Sequence, residues 1–134
     1  MLKCASEQGS SAATHTLAMD SLSDGEGLRT MEYLQQGVKF GGQRSAGTLW
    51  VLFSDGRLTF GADEDLMGKL NARGYRKDVE RGKRYEAIYK ALDQNKDLRF
   101  PLLDKVVPPP PAQLPDWNGI EDAIGSEPEG PPSY

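Results

Sequence analysis

The run Pro108–Pro111 constrains this chain more than any other stretch. Four consecutive prolines supply no backbone donor and hold φ near −65°, so neither a helix interior nor a central strand can pass through them. They also stand where the apolar pattern stops. Most large apolar side chains fall between Leu28 and Val107, and the residues after Val107 carry five acids and no base. Like charges and missing donors make that tail a poor contributor to a core. Residues 1–27 are small and polar, with one Lys against four acids, and are expected to form a disordered acidic arm. The chain thus divides into an arm (1–27), a small folded domain (28–106) and a proline-rich acidic tail (107–134).

Composition agrees with a modest core. Of 134 residues 37% are hydrophobic, and 15 glycines and 9 prolines are present, so a middle segment of about 80 residues has to supply the burial. The net charge of −4 hides a basic middle between acidic ends, because residues 28–105 carry fifteen basic against eleven acidic side chains. A lone cysteine, Cys4, cannot build a disulfide framework and fits a reducing, cytoplasmic setting. No apolar run approaches the ~18–20 residues of a membrane span, and the first residues lack the apolar stretch of a secretory leader.

Within the domain the expected fold class is α+β. A helix is expected from Ser23 or Asp24, with Glu26 in a capping box, Leu28, Met31 and Leu34 on one face and Gly37 as the stop. "TLWVLFSDGRLTFG" reads as a β-hairpin. Asp55-Gly56 suits a type I′ turn, and Leu49, Val51, Phe53, Leu58 and Phe60 alternate onto one face. Val38–Phe40 would add a third strand, giving a meander over about 38–61. Two or three short helices would pack on it. One is capped by Asp63 and closed by Gly74. Another carries the stripe Tyr85, Ile88, Tyr89 and Leu92, with Gly82 separating it from the charged stretch before it. "DLRFPLL" would be an edge strand.

Catalytic signals are weak. The only histidine, His15, falls in the arm, so neither a triad nor a His-ligated metal is expected, and no cofactor is implied. "GQRSAGT" has the look of a phosphate loop, but no Lys follows its last glycine and a strand is expected after it, so it is set aside. The stretch Tyr85–Val106 resembles a degenerate EF-hand, with Asp93, Asn95, Asp97 and Asp104 at loop positions 1, 3, 5 and 12. Leu98 replaces the turn glycine, and Asp104 is too short for ready bidentate ligation. That resemblance implies a calcium-sensing alternative. The basic segment 69–90, with Arg73, Arg76, Lys77, Arg81, Lys83 and Arg84, offers a third reading, a grip on an acidic protein surface or on RNA. The acidic overall composition makes nucleic acid the lesser choice.

The tail carries the favoured reading. "KVVPPPP" resembles ligands of Src-homology-3 domains, with Lys105 as the orienting charge and Pro108 and Pro111 as the ridges. Pro131, Pro132 and Tyr134 in "PPSY" resemble the ligands of WW domains. Between them Trp117, Ile120 and Ile124 would share one side of a short helix and anchor it, either on a partner or on the basic segment of the domain itself. The expected function is a non-catalytic protein-interaction module or small subunit, whose tail is a peptide ligand for proteins with polyproline-recognising domains.

Overall fold

The computed structural model describes residues 11–58, 63–110 and 112–124, and within them it is all-helical. Seven helices follow in chain order: α1 Ser11–Ser23, α2 Gly27–Lys39, α3 Gln43–Asp55, α4 Glu64–Ala72, α5 Val79–Gln94, α6 Leu103–Val106 and α7 Glu121–Ile124. The most extensive pairings are α3 with α5 and α1 with α2. α2 also meets α3 and α4, and α6 meets α7. The core therefore lies between the α2/α3 layer and α5. Met31, Leu34, Val38, Leu49, Leu52, Phe53, Tyr85, Ile88 and Leu92 are all nearly solvent-free there.

The expected α+β class and its hairpin are overturned. No strand occurs among the described residues, and Gln43–Asp55 is a helix. The buried set Ser45, Ala46, Leu49, Leu52 and Phe53 has helical spacing. The alternation of Leu49, Val51 and Phe53 is a subset of an apolar run that both periods fit. Gly56 does have positive φ, at 80°, but as the left-handed residue ending α3, its N–H bonded to the Leu52 carbonyl at 2.7 Å. Asp55 is helical, so no type I′ turn exists. The third strand is absent as well: Val38 is a buried residue of α2, which runs through Gly37 and ends before Gly41 at φ 83°. The expected edge strand is a turn leading to α6, with Phe100 N–H donating to the Lys39 carbonyl at 2.9 Å.

The expected helix ends hold at α4 and fail at α2. Asp63 caps α4 by accepting from Leu66 N–H at 2.8 Å, and Gly74 follows α4 with φ 100°. Glu26 makes no side-chain cap to α2, and Leu28 is exposed instead of facing inward. Gly82 lies inside α5. A Cβ there would stand 3.2 Å from Ser54 Oγ, so the glycine lets α5 lie close on α3. Ser11–Ser23, within the segment expected to be a disordered arm, is α1. Apart from Leu22, its buried face of Ala13, Thr14, Ala18 and Ser21 is built of small and hydroxyl side chains that give little apolar signal.

Candidate functional site

Two arginines of α5 organise the chain after α6. Arg81 and Arg84 are 4% and 5% exposed. A buried guanidinium needs partners for its donors, and both find backbone carbonyls at the end of α6 or just beyond it. Arg81 Nη2 donates to the carbonyls of Pro108 (2.8 Å) and Ala112 (2.6 Å), Nη1 pairs with Asp78 at 2.7 Å, and the group lies 5.7 Å from the Phe53 ring centre. Arg84 Nη1 donates to the Val106 carbonyl at 2.7 Å and Nε to Glu80 at 3.2 Å. The Trp117 ring lies over Arg84, 5.1 Å from Cζ, a cation–π contact.

A third anchor comes from α2. Gln35 Nε2 donates to the Val107 carbonyl and to Asp104, both at 2.9 Å, and its Oε1 accepts from the Tyr85 hydroxyl. Asp104 completes the group by pairing with Lys39. Burial pushes the Tyr85 phenol far up, so it stays a neutral donor. Val107 and Ala123 are fully buried, and Leu102 N–H donates to the Ala123 carbonyl. The described residues between Val106 and Ile124 thus form a strap across α5, held by carbonyls on both arginines.

This geometry sorts the residues singled out from the sequence. Lys105 is exposed, Pro108 is half-buried with its carbonyl occupied, and Trp117, Ile120 and Ile124 pack against the core. Pro111, Pro131, Pro132 and Tyr134 lie outside the described residues. In the basic segment Arg73, Arg76, Lys77 and Lys83 are exposed while Arg81 and Arg84 are interior. Asp93, Asn95 and Asp97 are exposed at the end of α5, where Asp93 accepts from Gln43 and Asn95 from Asp97 N–H. Asp104 is engaged by Gln35 and Lys39. Among the described residues no three His, Cys, Asp or Glu side chains gather as a metal-holding group. No helix among them is long and apolar enough to cross a membrane.

A cleft of about 480 Å³ opens on the other side of α5, between it and α3. Trp50 and Tyr89 form its aromatic wall, ring centres 5.4 Å apart and tilted by 52°, with both side chains half-buried. Gly47 forms the floor: a Cβ there would stand 3.0 Å from the Tyr89 ring. Gln43 and Arg44 edge it. Sequence reading missed this cleft, because Trp50 was assigned to a strand and Tyr89 to a core stripe. The 3.6-residue period of α3 alone would have set Trp50, Gly47 and Arg44 on one face.

Residues 55–127 match a family described as a domain of unknown function, DUF6396. That is more than half of the chain. The chain belongs to the DUF6396 family. The matched region includes the strap and α7, so the family's unit takes in what composition had set apart as a tail. It begins at the last residue of α3, yet α5 is packed on α3. No curated protein and no solved structure matches the chain.

Proposed function

We propose that the protein is a non-catalytic interaction module, of a reducing intracellular compartment, that binds a partner protein through the aromatic cleft between α3 and α5. The observation that carries this reading is the Trp50–Tyr89 pair, half-exposed beside Arg44 over a glycine floor. Trp, Tyr and Arg are the side chains that most often dominate binding energy at protein interfaces. The interior polar groups support the non-catalytic half of the reading, because Arg81, Arg84, Gln35, Tyr85 and Asp104 are each spent on the strap or on one another. The proline ligand reading narrows accordingly. The carbonyls of Val106, Val107 and Pro108 are already bound within the chain, which leaves "PPSY" as the tail's contact element.

A second reading rests on Arg73, Arg76, Lys77 and Lys83, which are exposed and enter no ion pair among the described residues. They favour an acidic protein surface, with RNA as the lesser alternative. Affinity capture with the full chain separates the two. Tyr89→Ala and Trp50→Ala should each lose the captured partner while retaining the wild-type melting transition, and Arg73→Ala/Arg76→Ala/Lys77→Ala should keep it. The reverse pattern would transfer the function to the basic face. A partner indifferent to both sets would remove both readings.

A further inference from the structure

The loop that resembles a phosphate loop in sequence was set aside partly because a strand was expected after it. In the structure a helix follows. Gly41, at φ 83°, turns the chain, Gly42 is the N-cap of the thirteen-residue α3, and no side chain caps that end. The N–H groups of Gln43, Arg44 and Ser45 make no hydrogen bond with the described residues. A helix start of this kind carries three free donors and the positive end of the helix dipole.

Beside it is a second cleft of about 340 Å³, lined by this first turn of α3 and by Ser11, His15 and Thr16 of α1. Two of the lining side chains are polar and unsatisfied. Ser45 is 1% exposed and its Oγ has no partner among the described residues; Nε2 of His15 is likewise buried without one among them. Buried polar atoms without partners are uncommon and call for an explanation. The charge is one-sided as well. Arg44 lines the cleft and enters no ion pair among the described residues, and no described residue in the lining is acidic. Asp93, outside the lining, takes a hydrogen bond from the Gln43 side chain at 3.3 Å.

We propose that the N-terminus of α3 is a binding site for a phosphate-type oxyanion, held by the N–H groups of Gln43, Arg44 and Ser45, the Ser45 hydroxyl and the Arg44 guanidinium. Each supplies a donor, and an oxyanion supplies acceptors only. Gln43 and Arg44 edge both clefts, whereas Ser45 and His15 line only this one.

The test is a titration of the full chain, followed by amide and imidazole NMR, with inorganic phosphate and with phenyl phosphate against sodium chloride of matched ionic strength. Saturable shifts are expected at Gln43, Arg44, Ser45 and the His15 ring, and none with chloride. Tighter binding of inorganic phosphate would identify a free anion, tighter binding of phenyl phosphate an esterified one. Arg44→Ala should weaken binding at least about tenfold, Ser45→Ala about three- to tenfold, and Arg76→Ala not at all. Shifts spread over Arg73–Lys77, or an unchanged affinity in both Arg44→Ala and Ser45→Ala, would overturn the proposal. Partner capture through Trp50 and Tyr89 is read separately, so either conclusion can fail alone.

Discussion

Arg81 joins more of the molecule than any other side chain described above. Its guanidinium ties Asp78, the Pro108 and Ala112 carbonyls and the Phe53 ring, and it is nearly solvent-free. Truncation to Ala leaves those acceptors unpaired, so Arg81→Ala should destabilise by roughly 2–4 kcal/mol in denaturant melts. Lys cannot reproduce the fork, and Arg81→Lys should recover less than half of the loss. Ser45 behaves oppositely. Its Oγ is buried without a partner among the described residues, so Ser45→Ala should melt at or above the wild-type temperature, a change of about 0–1 kcal/mol. A clearly lower midpoint would show that the hydroxyl has a partner. The two residues illustrate why burial of a polar group is uninformative until its partners are named.

At the scale of elements, α1 is the piece whose attachment responds to pH. It rests on α2 through small side chains, and His15 sits at its contact with the α3 N-terminus. Burial, then the Arg44 guanidinium, holds the imidazole below its ordinary 6.5. The folded state therefore resists the proton that the unfolded chain accepts. Stability is full above 6.5 and falls as the pH drops through it, levelling off once the folded-state pKa is passed. The difference in melting temperature between wild type and His15→Gln, followed from pH 8 to 5.5, should shrink or reverse toward the acid end. A constant difference would refute the assignment. The α2–α3 crossing depends on Gly37, where a Cβ would come within 2.5 Å of Ser45 Oγ. Gly37→Ala should destabilise, and Gly37→Ala combined with Ser45→Gly should recover part of the loss.

At the scale of the whole molecule, the strap decides what counts as the domain. Glu121 and Asp122 make no ion pair with the basic segment; Asp122 accepts from Asn118 N–H instead. The strap is held by carbonyls on buried guanidinium groups and by apolar burial at Val107 and Ala123. Both are poorly screened by salt. Trp117 emission, read in a Trp50→Phe background, should stay blue-shifted from low to high salt and turn red in Arg84→Ala. Loss of the blue shift with salt alone would mean that charge, not packing, seats the strap. Removing residues 108–134 should lower the melting temperature markedly, because it strips Arg81 of its carbonyl partners and Arg84 of Trp117 together.

Local chemistry was legible where one residue suffices to cause the feature. Asp63 as a cap, Gly56 and Gly74 at positive φ, and the helical stripe of Tyr85, Ile88 and Leu92 all follow from backbone sterics or a single period. The secondary structure of residues 43–55 was not. Leu49 through Phe53 is apolar at every position, so helix and strand bury it equally well until something packs against it. α5, laid close through Gly82, selects the helix. The strap was illegible for the same reason at longer range. Prolines and acids predict a solvated tail, and only the fold brings Arg81, Arg84 and Gln35 to its carbonyls from 22 to 72 residues away in sequence. Local pattern thus determined the Asp63 cap of α4, the Gly74 that follows it and the positive φ of Gly56, but not the ends of α2. Which segments belong to the core, and which clefts remain open, was decided by donors that find acceptors only once the chain has folded.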